Sequence, residues 1–445
     1  MIQMKQARRR IALLHHTGCG NLGDDAIIDS VVSNIQRRWK NAEITVFSMN
    51  PEDTNRRHGL PCYPIRRFTW SNGDESASVP TETPEKGILN WLKTTRNPTI
   101  RLPRAVWGEL MFLLDSYRHV KSFDLLVVSG GGQLTERGGP WSFPYALFVW
   151  TLLAKRAGVK SIFLNVGAGP LKHPVSKFFV PRALRAADYV SFRDKQSQEL
   201  ATELGFKGIS HVCPDNVYAL DIETREESKK DGAGMVVGFA PMPYPFSDLL
   251  TPPSNPQAIE DELIGRLAKF ASLLVAESYT LKLFGSDVRS DPTAIGELRR
   301  DLLNRHHITM PEYVPLNSVE ELLARMSEMD YIVTCRFHGV VLAHLLNKPV
   351  VAIAHHPKVT HLMDALGLSE YCVDMHSFDP EQLVEKFTRL VGETEIIKKK
   401  LKTTWADYRT KASAQFDCLF PSDSIERPEH ALDSKSSLSA AAAVR

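Results

Sequence analysis

The chain has 445 residues, 43% of them apolar and 24% charged, which predicts two or three domains that bury their cores without disulfide or metal staples. A formal net charge of +2 excludes the global basic field of a nucleic-acid-binding chain. The six cysteines are widely scattered, which argues against a disulfide framework or zinc site and for a reducing, cytoplasmic compartment.

Arg8-Arg9-Arg10 precede Ile11-Ala12-Leu13-Leu14, and His15-His16 end the run. It is too short for a signal peptide and reads as a first buried strand. A helix is expected over 26–36, where Ile27, Ile28, Val31, Val32 and Ile35 recur at helical spacing. Strands follow at 44–48, 125–129, 161–166 and 189–192, with a helix at 197–204 ended by Gly205. The most apolar stretch, 143–154, stops at Lys155-Arg156. It falls short of the roughly 20 residues that span a bilayer, so it reads as a core helix rather than a transmembrane segment. A second series has strands at 236–240, 280–284, 331–334 and 350–353, with a helix at 319–329. Strand–helix alternation of this kind predicts an α/β fold with parallel sheets covered by helices. The polar stretch 221–234 separates the series, giving expected domains at 8–222 and 233–390, a helical segment at 391–420 and a disordered tail at 421–445. The Ser/Thr/Glu/Pro-rich 69–86 and the proline-rich 242–256 read as loops.

Four constellations fall at the C-terminal ends of expected strands, the edge at which open α/β sheets bind ligands. Gly18-Cys19-Gly20-Asn21-Leu22-Gly23-Asp24-Asp25 joins the first strand to the first helix. One of its two acids is expected to cap the helix, leaving the other for chemistry. Ser129-Gly130-Gly131-Gly132-Gln133, and likewise Asn165 to Pro170, read as turns that admit either a ligand or a neighbouring helix. Phe192-Arg193-Asp194 ends a strand, with Asp194 as a cap and Arg193 as a candidate anion ligand. Sharpest is Thr334-Cys335-Arg336-Phe337-His338-Gly339, which puts a guanidinium and an imidazole between a buried strand and an apolar helix. A ligand explains that placement; the alternative is an internal Arg–Asp pair beside a satisfied core histidine. His15-His16 and His355-His356 invite a metal, but neighbours on an extended chain point to opposite faces, so no metal site is expected unless the pairs converge.

In this order the motifs resemble the polysaccharide pyruvyl transferase family: Gly20 to Ala26, Gly130-Gly131-Gly132, Gly167-Ala168-Gly169-Pro170, Arg193-Asp194, Arg336-Phe337-His338-Gly339 and Pro357-Lys358-Val359. The resemblance spans about 11–390. It implies two Rossmann-like domains facing a cleft, similar to the twin-domain glycosyltransferase architecture. It also implies phosphoenolpyruvate as donor, a sugar or glycan acceptor (free or lipid-linked), and neither cofactor nor metal. The activity implied is transfer of a pyruvyl group onto sugar hydroxyls, as a ketal, with phosphate released, in polysaccharide or exopolysaccharide biosynthesis. By match to the motifs, Arg193, Arg336 and His338 contact the donor, and Asn21, Gly131, Gly132, Phe337, His356 and Lys358 join them in binding substrate. On chemical grounds His338, Asp24 and Asp25 are the candidate acid and base. The chain departs from the family at His15-His16, where an aromatic pair is common, and at His356, where an acid is common. The alternatives are a nucleotide-sugar glycosyltransferase or epimerase of the same architecture, and a non-catalytic carbohydrate-binding protein.

Overall fold

Parallel strands alternate with helices along the chain, as the apolar runs predict. The computed structural model describes residues 8–18, 20–67, 98–222 (98–105 by their backbone), 234–245 and 254–422. The expected loop at 69–86, residues 223–233 and 246–253, and all but the start of the expected tail lie outside the described residues.

Seven strands make one parallel sheet: β1 (Arg9–Leu14), β2 (Ala42–Ser48), β3 (Cys62–Pro64), β4 (Leu125–Leu134), β5 (Lys160–Ala168), β6 (Tyr189–Phe192) and β7 (His211–Val212). Their order is β3-β2-β1-β4-β5-β6-β7, so the winding reverses between β1 and β4. The associated helices are α1 (Leu22–Arg38), α2 (Pro51–His58), α3 (Pro98–Val120), α4 (Phe143–Ala157), α5 (Pro174–Ala186) and α6 (Lys195–Glu203). Five more strands, β8 (Val236–Ala240), β9 (Thr280–Leu283), β10 (Tyr331–Thr334), β11 (Val350–Ala354) and β12 (Cys372–Asp374), form a second parallel sheet in the order β12-β11-β10-β8-β9. With it go α7 (Pro256–Ala276), α8 (Asp291–His306), α9 (Val319–Ser327), α10 (Phe337–Leu345), α11 (Pro357–Ala365), α12 (Pro380–Gly392) and α13 (Thr394–Leu419). Each sheet with its helices is Rossmann-like. Among the described residues no helix is long and apolar enough to cross a membrane.

The chain divides into two compact units. The first comprises Met1–Cys19, Ile27–Leu220 and Tyr408–Arg445; the second comprises Gly20–Ala26 and Asp221–Asp407. The glycine-rich segment after β1 thus clusters with the second sheet, and the end of the last helix with the first.

Two expectations are corrected here. Gly130 to Gly132, and Asn165 to Gly167, are not turns after strands, because β4 and β5 run on through them. Gly130 and Gly131 have φ of 62° and 70°, which only glycine adopts without strain, and the β4–β5 register shifts between Gly131 and Leu134. The glycines kink the strand as a bulge instead of ending it. The sheet-edge strands β3, β7 and β12, of two or three residues each, carry too little pattern to be expected from sequence.

In the first unit, the end of α13 is tied to the sheet by one amide. Gln415 and Asn165 exchange hydrogen bonds of 2.8 and 3.0 Å, and Gln415 Nε2 lies 2.9 Å from both Ser191 Oγ and the Tyr189 hydroxyl. Asn165 also donates to Asn216 Oδ1 at 2.8 Å. Gln415→Ala leaves this buried network short of partners. It should cost about 1–3 kcal/mol of stability, read as a lower thermal midpoint. An unchanged midpoint would show that water replaces the amide freely.

Candidate active site

The second unit concentrates charge at the C-terminal ends of β10 and β11. Arg336 closes β10 in extended conformation and precedes α10, its N–H donating to Thr334 Oγ1 at 3.1 Å. Its guanidinium is held by α8. Nε donates to Asp291 Oδ1 at 3.0 Å, and Nη2 reaches the same oxygen and donates to Ser290 Oγ at 2.6 Å. Asp287 lies 3.8 Å from Nη2. Asp291 is fully buried, and its other oxygen accepts the N–H groups of Ser286 and Asp287, each at 2.9 Å. Burial raises the Asp291 carboxyl above its ordinary pKa, opposed by the Arg336 charge. Burial works against the Arg336 charge, but Asp291 and Asp287 outweigh it and hold the guanidinium pKa above its usual value. The internal Arg–Asp pair raised as an alternative from sequence is therefore present. It occupies Nε and Nη2, while Nη1 makes no hydrogen bond among the described residues.

The segment from Gly20 to Ala26 meets the same loop. Leu22 donates its N–H to Ser286 O at 2.8 Å, Val288 donates to Gly20 O at 2.9 Å, and Asn21 bridges Asp287. Asn21 Oδ1 accepts the Gly23 N–H at 3.0 Å, and Asn21 O accepts those of Asp24 and Asp25. Asn21 is thus the capping residue, and α1 begins one turn earlier than its apolar spacing suggests. Neither Asp24 nor Asp25 caps it, yet both are buried at the site. Gly23 is required by contact, because a Cβ there would collide with the His338 ring. His338 is itself buried in the first turn of α10, where unpaired N–H groups favour an anion.

The neighbouring strand end contributes His355, His356 and Lys358. His356 caps α11, its Nδ1 accepting the Lys358 N–H at 3.2 Å, and the Lys358 ammonium stands 5.9 Å from the Phe337 ring centroid. His355 Nδ1 lies 2.9 Å from Cys335 O, and burial beside Lys358 pushes its pKa down to about 3, so it stays neutral near neutral pH. In the second unit the structure brings together Asn21, Asp24, Asp25, Arg336, Phe337, His338, His356 and Lys358.

Arg193, Gly131 and Gly132 belong to the first unit. Asp194 caps α6 as expected, accepting the Ser197 N–H at 2.7 Å. Arg193 is buried between Asp194 and Asp215, at 3.3 and 3.4 Å, with its guanidinium packed on Gly167. Within the β4 bulge lies Gln133, 1% exposed, whose amide nitrogen and oxygen have no hydrogen-bond partner among the described residues. Buried amides are rarely left so. Beside it, a Cβ on Gly132 would meet open space, and its φ is not positive, so neither packing nor backbone requires glycine there. Sequence reasoning quoted Gln133 in its motif without a role and missed Asp215, Asp287, Ser290 and Asp291, which act through long-range contacts. The Ser290-Asp291-Pro292 helix start was the readable signal near the last two.

The expectation that adjacent histidines diverge fails for His15 and His16. Their rings stack at 4.9 Å, because β1 ends at Leu14 and the chain there is no longer a strand. The His355 and His356 rings meet edge to face at 6.3 Å. Among the described residues no three His, Cys, Asp or Glu side chains are placed to hold a metal ion.

A search of curated proteins gives no match. Solved structures share the fold at low identity. A Listeria monocytogenes protein assigned as a UDP-N-acetylglucosamine 2-epimerase has 12% identity and a TM-score of 0.56, covering 94% of this chain and 100% of its own. The Neisseria meningitidis UDP-GlcNAc 2-epimerase bound to UDP-GlcNAc gives 12%, 0.52, 91% and 98%. A Burkholderia vietnamiensis α,α-trehalose-phosphate synthase (UDP-forming) gives 12%, 0.51, 95% and 99%. These likenesses establish the twin Rossmann-like architecture. The model of one family, polysaccharide pyruvyl transferase, matches residues 21–357, from the capping Asn21 to the Pro357 that opens α11. With that match, the chain belongs to the polysaccharide pyruvyl transferase family, a family of transferases.

Proposed function

We propose that the chain transfers the pyruvyl group of phosphoenolpyruvate onto two hydroxyls of a sugar in a polysaccharide or its precursor. The products are a pyruvate ketal and inorganic phosphate. What supports this reading is the charge set around Arg336: a fixed guanidinium, the Lys358 ammonium, His338 in a helix first turn, and two buried carboxylates. Phosphoenolpyruvate carries a carboxylate and a phosphate, and a guanidinium fixed by Asp291 with Nη1 still open can give such an anion a charge-assisted hydrogen bond.

In this reading Arg336 and Lys358 hold the donor's anionic groups, with the Phe337 and His356 positions beside them. His338 supplies a proton to the methylene carbon, or steadies the departing phosphate. A sugar hydroxyl adds to the adjacent carbon as Asp24 or Asp25 takes its proton. The carbon–oxygen bond to phosphate breaks, and the second hydroxyl closes the ketal, its proton leaving with phosphate. No cofactor enters the balance. In the first unit, Gln133 is assigned to sugar hydroxyls, which would satisfy its buried amide. Nucleotide-sugar chemistry is the second reading, since structures of the same fold bind UDP-GlcNAc. Thermal shift separates the two, because a ligand of the native state raises apparent stability by mass action. Phosphoenolpyruvate should raise the midpoint and UDP should not; the reverse result contradicts the proposal.

Arg336 gives a second test. Arg336→Ala leaves Asp291 a buried carboxylate without its counter-ion, and should destabilise the protein by about 3–5 kcal/mol. Arg336→Lys keeps the charge but loses the fork. It should stay folded by circular dichroism while donor affinity or turnover falls roughly ten- to hundredfold, the loss of one charge-assisted bond. Unchanged turnover in the folded Lys variant would reduce Arg336 to a structural residue.

Gln133→Leu tests the acceptor assignment. Replacing an unpartnered buried amide with an apolar side chain of similar size should leave the thermal midpoint unchanged or raised. The acceptor KM should rise roughly two- to tenfold, as for a lost hydrogen bond to a neutral hydroxyl, and the donor KM should hold. A falling midpoint with unchanged acceptor KM would make the residue a packing element.

A further inference from the structure

Eight of the fifteen large hydrophobic side chains exposed among the described residues fall between Val106 and Phe178, in the first unit. Five recur along α3 at helical spacing, with Trp107 63%, Leu110 44% and Leu114 42% exposed, so they form one outward stripe. The others are Trp141, just before α4, Leu152 on α4 and Phe178 on α5.

The topology places these helices in one layer. α1 and α2 carry the chain from β1 outward to β3, and α3 to α5 carry it back across the sheet toward β6. Right-handed crossovers in opposite directions put the two sets on opposite faces. Side chains join the second set. The Tyr145 hydroxyl of α4 donates to Glu109 of α3 at 2.9 Å, and Phe148 of α4 lies against Phe178 and Phe179 of α5. The opposite layer, α1 and α2, exposes no large hydrophobic residue.

The exposed charge of α3 to α5 is mostly basic. From Val106 through α5, these helices carry six exposed basic side chains, from Arg118 and Lys155 to Arg182 and Arg185. They carry two acids, Glu109 bonded to Tyr145 and Asp115 paired with Arg118. The Arg182 guanidinium lies 3.5 Å over the Phe178 ring, its charge beside an apolar group. A second copy of the chain fits this layer poorly, because a two-fold interface would set the same cations against themselves. A surface of acidic headgroups over hydrocarbon fits both features at once.

We propose that the α3–α5 layer docks on an anionic lipid bilayer. The aromatic and aliphatic side chains of α3 and Phe178 enter the headgroup region, and the surrounding lysines and arginines pair with lipid phosphates. This does not depend on the chemistry proposed above. The test is co-sedimentation of the full chain with phosphatidylcholine vesicles, with and without phosphatidylglycerol, at rising salt. Binding should require phosphatidylglycerol and weaken with salt. Removing a cation near such a surface weakens binding about fivefold, so Lys177→Glu with Arg182→Glu should lose well over tenfold. Trp107→Glu with Leu110→Glu should abolish binding, while circular dichroism and the thermal shift with phosphoenolpyruvate stay as in the parent chain. Absence of parent-chain binding to anionic vesicles, or equal binding by both variants, overturns the proposal. So does a solution dimer that the Trp107 and Leu110 changes dissociate, since that would make the partner a second copy.

Discussion

The site in the second unit depends on one buried ion pair. Asp291 is fully buried and accepts two backbone N–H groups with one oxygen, leaving the other for Arg336. A carboxylate in that position needs a cation, and a guanidinium at the end of a buried strand needs an anion. Each answers the other, and the result is a positive group fixed in direction. The same loop, Ser286 to Asp291, receives the Gly20 to Ala26 segment through backbone hydrogen bonds. One acid therefore orients the guanidinium and shapes the loop on which Asn21, Asp24 and Asp25 are seated.

The internal pair that the sequence offered as one reading of Arg336 is present. An internal pair and a ligand-binding role compete only if the pair consumes the whole guanidinium. Here it takes Nε and Nη2. Pairing also makes the arginine harder to replace than a surface anion ligand, because removing it exposes the cost of burying Asp291. Arg193 follows the same pattern in the first unit, buried between Asp194 and Asp215 over Gly167. In both, a cation at a strand's end is held by nearby acids rather than left to solvent.

Much of this was legible along the chain. The buried strands announce themselves as short apolar runs, and Tyr189–Phe192, Val236–Ala240 and Tyr331–Thr334 begin and end where the runs do. The Arg336-to-Gly339 motif was visible because its residue types are costly between an apolar strand and an apolar helix. What escaped was long-range or conformational. Asp291 lies 45 residues from Arg336, and nothing local links them. The cap went to Asn21 because an Asn ahead of two acids competes for the same N–H groups, and periodicity cannot rank them. The glycines of β4 read as a stop because glycine usually ends a strand; only positive φ at Gly130 and Gly131, inside a continuing ladder, shows a bulge. Gln133 carried no sequence signal, since its interest lies in having no hydrogen-bond partner among the described residues.

Phosphorus NMR observes the proposed reaction most directly. The chain would be incubated with phosphoenolpyruvate and a panel of glycans, and the products weighed by mass spectrometry. With an accepted glycan, the enol-phosphate signal should give way to inorganic phosphate in step with a product heavier by one pyruvate ketal. Conversion of a nucleoside-diphosphate sugar by the same protein, with phosphoenolpyruvate untouched across the panel, would contradict it.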